Sequence, residues 1–326
     1  DTVFDLASLT KPLAVALGAL VLSRENAVFD PEARIGDLLP GRVPEPLDRR
    51  TVLQLLTHTA GLPPYLDAGT LESTLRNRGE TEQPPADTVL AMIAGAASTT
   101  TPPGRPAYSC LGPIAAARVV EHIAGTDLHD FLTARVWSPL RMRSTCFAPS
   151  AELACRCAPT ECVDGVPLRG VVHDPLARTL LNAGIRCSGN AGLFSTAGDL
   201  CRLLDHSLRL LRHPQSEKTP GTALDRTLVR QWFTPSSADH KGVSYGPGWA
   251  FYRETHRFAS DRQGGRAAGH TGYTGTFLWV DLDAGAYAAA LTNRVHPRDD
   301  GSAEPLRQAL VNLVRAAACR TGRPRP

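Results

Sequence analysis

The chain reads as an α+β protein: an antiparallel sheet flanked by helices from both chain ends, with an all-helical region inserted between them. Three observations predict this. An apolar helical stretch opens the chain, strand-like segments follow one another after Tyr245, and an amphipathic helix closes it. On this reading residues 1–50 and 195–326 form a discontinuous sheet domain, and residues 51–194 form a helical and loop domain.

Ser8 to Ser23 has a continuous apolar body, and Pro12 falls in its first turn, where a missing N–H costs nothing. Thr51 to Thr59 predicts a short helix with Val52, Leu55 and Leu56 on one face and Gly61 as its stop. Prolines at 63, 64, 84, 85, 102 and 103 punctuate the next stretch. Pro113 to Ala124 is helical and closed by Gly125, and Leu128 to Val136 is a further helix. From Phe147 to Asn190 the periodicity weakens and extended loops are expected. Thr196 with Asp199 has the spacing of a capping box, heading a helix with Leu200, Leu203, Leu204 and Leu211 on its apolar face. Gly248–Thr255, Thr276–Asp281 and Ala286–Thr292 read as three strands, the last two joined by the turn Asp283-Ala284-Gly285. Leu306, Leu310, Leu313 and Val314 stripe the final helix, from about Glu304 to Cys319.

The charge balance is nearly even, 35 basic against 32 acidic residues, which argues against a nucleic-acid or polyanion partner. The longest apolar run, Pro12 to Ser23, is too short to span a bilayer, so no membrane span is expected. The chain starts at Asp1 without an initiator methionine. Its compartment is therefore not legible from this end, and both periplasmic or extracellular and cytoplasmic locations remain open. Three of eight cysteines form a C-x-C-x4-C cluster (Cys155, Cys157, Cys162), but its irregular spacing fits free thiols or a disulfide better than zinc. No metal or cofactor is expected.

Ser8-Leu9-Thr10-Lys11 places a hydroxyl and an amine one helical turn apart. A serine hydroxyl is a poor nucleophile until a base takes its proton, and a buried lysine can serve as that base. With 17 serines and three lysines, Lys11, Lys218 and Lys241, the spacing alone identifies nothing. Tyr108-Ser109-Cys110 enters the Pro113 helix and offers a phenol able to relay a proton. His270-Thr271-Gly272-Tyr273 precedes the Thr276 strand, where a strand edge can pair with substrate and supply an oxyanion-hole N–H.

Serine, tyrosine and a basic residue with Thr-Gly, in this order, resemble the S-x-x-K, Y-x-N and K-T-G triad of serine β-lactamases and penicillin-binding proteins. Phe4–Lys11, Leu55–Leu62, Pro139–Met142, Ala158–Glu161, Val172–Pro175, Ala191–Ala197 and Leu291–Pro297 extend the resemblance across nearly the whole chain. It is strongest to the subgroup related to class C β-lactamases, which spans esterases and low-molecular-weight penicillin-binding proteins. The resemblance implies a β-lactamase-like fold and an acyl-enzyme on Ser8. Lys11 and Tyr108 would share acid–base duty, the N–H groups of Ser8 and Tyr273 would hold the oxyanion, and Cys110, His270, Thr271 and Gly272 would line the substrate.

Two departures bear on substrate. Cys110 stands where the motif has an asparagine that bonds the acylamide of a β-lactam or peptide, and a thiol is a weak donor and acceptor. His270 replaces a lysine and holds a carboxylate less firmly. Both favour an esterase on small acyl esters. D-alanyl-D-alanine carboxypeptidase or β-lactamase activity and a catalytically impaired binding relative are the alternatives, and the partner is in each case a small ester, amide or β-lactam. The resembling proteins carry a helix and two strands before S-x-x-K; only seven residues precede Ser8, so either a fragment or processed product, or a sheet short by two strands, is expected.

Overall fold

The computed structural model describes residues 1–77, 85–97, 102–213, 219–237, 242–253, 256, 258, 266–299 and 301–320. The segment from Ala7 to Glu25 is helical throughout but changes pitch: a 3₁₀ turn at Ala7–Leu9, a π-helical stretch at Lys11–Ala16, then α1, Leu17–Glu25. This run is 19 residues long, longer than the expected apolar segment. By length and composition it meets the requirement for crossing a membrane, although 83% of its most apolar window is buried inside the protein.

The helices that follow are α2 (Ile35–Leu38), α3 (Val52–Leu56), α4 (Ala68–Asn77), α5 (Pro85–Gly95), α6 (Leu111–Ala124), α7 (Leu128–Leu132), α8 (Ala151–Cys155), α9 (Pro175–Asn182), α10 (Ala197–Arg212), α11 (Arg226–Trp232) and α12 (Glu304–Arg320). Their starts follow capping chemistry. Thr51 and Gln54 close a reciprocal capping box, and Asp127, Ser150, Asp174, Thr196 and Asp225 each accept the backbone N–H three residues on. At Thr196 only half of the expected box forms, because the Asp199 carboxylate turns away to the Ser144 N–H and the Thr145 hydroxyl. Gly125 ends α6 in the left-handed region (φ 67°), as expected.

Among the described residues ten strands form three sheets: β1 (Phe4–Asp5), β2 (Cys146–Phe147), β3 (Cys162–Val163), β4 (Val166–Pro167), β5 (Leu193–Ser195), β6 (Val243–Tyr245), β7 (Ala250–Tyr252), β8 (Ala267–Thr271), β9 (Phe277–Asp281) and β10 (Ala286–Ala290). The main sheet is antiparallel with order β10-β9-β8-β7-β6, so it has five strands where three were expected. The Gly248–Thr255 strand is shorter than expected, and Thr255 lies outside the described residues. The expected loops between Phe147 and Asn190 also hold α8, α9 and the β3–β4 hairpin, turned by Asp164 and Gly165, both at positive φ. β1-β5-β2 form a small second sheet.

One apolar core runs from the first helix through α3, α6, α10 and α11 to Ala268, Leu278 and Val280 of the main sheet. α12 covers the other face, its Val311 clustering with Phe277 and Trp279. The seven described cysteine side chains are free thiols, and no group of three metal-ligating side chains comes together among the described residues.

Candidate active site

β1 is held by β5, and the Leu6 N–H continues the pairing to the Leu193 carbonyl at 2.9 Å. The chain then turns sharply. Ala7 sits at φ 49°, its N–H bonded to Asp5 Oδ1 at 2.8 Å. A left-handed alanine costs roughly 1–2 kcal/mol, and Asp5 offsets it by accepting from both the Ala7 and the His173 N–H. This turn delivers Ser8 to the first residues of the helix. Lys11, one turn on and fully buried, donates to Ser8 Oγ and to the Asn190 carbonyl, both at 2.8 Å. The Tyr108 hydroxyl lies 3.0 Å from Ser8 Oγ, with the Lys11 amine 5.2 Å from its ring centroid. Lys11, one turn from Ser8, and Tyr108, far from both in sequence, thus meet on the Ser8 oxygen.

The other expected residues surround this centre. Cys110 caps α6 as a half-buried thiol, its N–H bonded to the Pro64 carbonyl. His270 and Thr271 precede β9 as expected but also end a strand of their own, β8, which is central in the sheet rather than an edge. The expected open edge survives locally, because β7 pairs only with residues 267–269 and leaves His270 and Thr271 bonded to β9 alone. The β8–β9 turn folds back on Asp5 and Leu6, whose carbonyls accept from Thr274 Oγ1 (2.8 Å) and Thr276 Oγ1 (3.0 Å). Gly272 makes that approach possible: a methyl there would lie 2.0 Å from Thr276 Oγ1 and 2.6 Å from the Leu6 carbonyl. Among the described residues, neither the Ser8 nor the Tyr273 backbone N–H has an acceptor. The Tyr273 ring is held on two sides, stacked on His173 at 5.4 Å and under the Arg294 guanidinium at 4.9 Å, and its hydroxyl bonds Asp299.

Several contributors had little or no sequence signal: His58 and Asp174 lie inside family-like segments, whereas Tyr65, Tyr245 and Asn190 do not. His58, at φ 57° and buried, packs 4.6 Å from the Tyr108 ring and accepts the Ser109 N–H on Nδ1 at 3.2 Å. Tyr245 closes edge-on against His58 at 5.2 Å. Asp174 accepts from Tyr65 and Asn190 as well as capping α9. Asn190 acts on Lys11 through its carbonyl, which any residue would supply.

Electrostatically the Lys11 cation governs the site. Burial pulls the Lys11 pKa down, but its interactions with Tyr108 and Cys110, with Asp174 behind, more than compensate and hold it above the usual lysine value. Burial, reinforced by the Lys11 cation, pushes His270 down to about 3. The same two causes, with His270 added, hold His58 well below an ordinary histidine. Both imidazoles are neutral at pH 7.

A family model described as Beta-lactamase matches residues 1–313. Among curated proteins, the chain is 30% identical to the esterase EstB of Burkholderia gladioli, over 97% of this chain and 83% of that protein. It is 27% identical to a putative D-alanyl-D-alanine carboxypeptidase of Escherichia coli K12, over 90% of this chain and 70% of that one. A class C β-lactamase from Rhodobacter sphaeroides shares the fold, with a TM-score of 0.71 at 16% identity, over 97% of this chain and 86% of that chain.

Proposed function

The chain belongs to the beta-lactamase family of serine hydrolases, and from that premise we propose that it hydrolyses small acyl esters through an acyl-enzyme on Ser8. The observation that carries this reading is the convergence of Lys11 Nζ (2.8 Å) and the Tyr108 hydroxyl (3.0 Å) on Ser8 Oγ. Ser8 Oγ attacks the ester carbonyl, and its proton passes to the Lys11–Tyr108 pair. The carbonyl oxygen, now charged, is held by the Ser8 and Tyr273 N–H groups. Collapse breaks the C–O bond, and the pair returns the proton to the leaving alcohol. Water then repeats the sequence on the acyl-serine, releasing the acid and restoring the hydroxyl.

Substrate class follows from what surrounds that oxygen. Recognition of a D-alanyl carboxylate favours a cation at position 270, and His270 is uncharged there. Cys110 is a poor partner for an acylamide. A D,D-carboxypeptidase or β-lactamase is the second reading, favoured by the name of the Escherichia coli relative.

A fluorophosphonate probe is expected to label Ser8, located by peptide mass mapping, and 4-nitrophenyl butyrate is expected to turn over. A fluorescent penicillin is expected to leave the protein unlabelled. Penicillin capture would move the assignment to the second reading. A folded protein whose probe labelling is the same in wild type and Ser8→Ala would mean a binding relative without catalysis.

A further inference from the structure

We propose that His58 and His270 form a neutral donor–acceptor pair beside Tyr108 that selects substrates carrying a carboxamide or hydroxyl over those carrying a carboxylate. This substrate class rests on the ester-hydrolase reading of Ser8.

The hydrogen-bond roles of both rings are fixed by backbone groups that cannot exchange them. The Ser109 N–H can only donate, so His58 Nδ1 is its acceptor and the ring proton sits on Nε2. The Thr271 carbonyl, 2.9 Å from His270 Nδ1, can only accept, so that nitrogen carries the proton and Nε2 keeps a lone pair. The two free Nε2 atoms therefore have opposite polarity: His58 offers an N–H, His270 an acceptor.

Both rings pack beside the same tyrosine. The ring centroids lie 4.6 Å (His58) and 6.1 Å (His270) from that of Tyr108, whose hydroxyl touches Ser8 Oγ. Neither Nε2 has a hydrogen-bond partner among the described residues, and neither is among the sealed polar atoms. The charges that act on the rings are Lys11, committed to Ser8 Oγ and the Asn190 carbonyl, and, on His270, also Arg307, committed to the Gly272 and Thr276 carbonyls. Burial and the Lys11 cation keep both rings uncharged through neutral pH.

A carboxylate has only acceptor sites. It could satisfy the His58 N–H, but it would turn a lone pair on the lone pair of His270. A carboxamide or a hydroxyl both donates and accepts, and matches both. The replacement of lysine by histidine at position 270 thus changes the kind of partner, from an anion to a neutral donor, rather than merely weakening the grip on an anion.

Three butyrate esters of similar size test this: those of glycolamide, glycolate and propanol, with kcat/KM normalised to the alkaline hydrolysis rate of each. The expected order for the wild type is carboxamide, then propyl, then carboxylate, with the extremes separated by at least about tenfold, the effect of one buried hydrogen bond made or mismatched. His270→Lys is expected to shift the carboxamide-to-carboxylate ratio at least about tenfold toward carboxylate, while His270→Gln, neutral and still an acceptor, retains the wild-type order. His58→Asn, a residue tolerated at positive φ, is expected to bring the carboxamide ester down toward the propyl ester. A wild type that turns over the glycolate ester as well as the glycolamide ester overturns the pair while leaving the hydrolase intact. Failure on all three esters and on 4-nitrophenyl butyrate overturns the ester-hydrolase reading itself.

Discussion

In the proposed reaction much of the chemistry rests on one proton, that of Lys11. As an ammonium it can donate to Ser8 Oγ and the Asn190 carbonyl but cannot take the serine's proton. Its pKa lies above the ordinary lysine value because its interactions with Tyr108 and Cys110 outweigh burial, so the basic form is the minority species at neutral pH. The sign follows directly: below the pKa, the neutral fraction grows about tenfold per pH unit. We expect kcat/KM for 4-nitrophenyl butyrate, corrected for spontaneous hydrolysis, to rise from pH 6 to 9 with a logarithmic slope near one. A plateau beginning below pH 8 would mean that the proton removed is not the one on Lys11. At this scale the sequence was informative where spacing encodes geometry, as for Ser8 and Lys11, and where a motif recurs, as for Tyr108 and His270. It was silent on His58 and Asn190. His58 matters through its positive φ and the Ser109 N–H on its ring, and Asn190 through a carbonyl that no side chain announces.

Elements meet at the site through two glycines that perform different tasks. A methyl on Gly112, in α6, would lie 2.5 Å from the Leu55 carbonyl of α3, so this glycine sets the distance between two helices on which Tyr108 and His58 depend. Gly272 sets the distance between the β8–β9 turn and the residues before Ser8. Gly112→Ala is expected to cost about 2 kcal/mol of stability in urea denaturation through overpacking against backbone. Gly272→Ala is expected to lower kcat about 100-fold, with a smaller change in KM, because it displaces the turn carrying the Tyr273 N–H from Ser8. Equal losses of stability and kcat in both variants would show that neither position is specialised. Long periodic elements were legible: α6, α10 and α12 stand within a few residues of their expected ends. α8 and α9 were not. They are five and eight residues long, each begun by a side-chain cap rather than by an extended apolar stripe. The strand holding His270 escaped notice because Ala267, Ala268 and Gly269 carry little strand propensity, and pairing with β9 supplies what propensity does not.

At the scale of the whole molecule, the expected division into a sheet part and a helical part at residues 51–194 can be put to an energetic test. The first helix, which carries Ser8 and Lys11, packs on α6 and α7 from the helical stretch and on α11 from the sheet stretch. The same apolar core includes Trp137, beside α7, together with Trp232 and Trp249, while Trp279 lies under α12. All four tryptophans are buried. A boundary crossed by so much shared apolar surface leaves neither part a complete core of its own. Chains longer than about 150 residues commonly unfold through intermediates, so a single transition here would be informative. We expect one urea midpoint by far-ultraviolet circular dichroism and by tryptophan emission, with the Trp137→Phe protein, whose remaining indoles all report on the sheet stretch, showing the same midpoint by both probes. An emission midpoint that separates from the dichroism midpoint once Trp137 is removed would mean that the helical region melts by itself. Ser8, on the first helix, and Tyr108, at the start of α6, would then be brought together by two bodies able to part, and the 3.0 Å contact between them would be a property of their docking rather than of one fold.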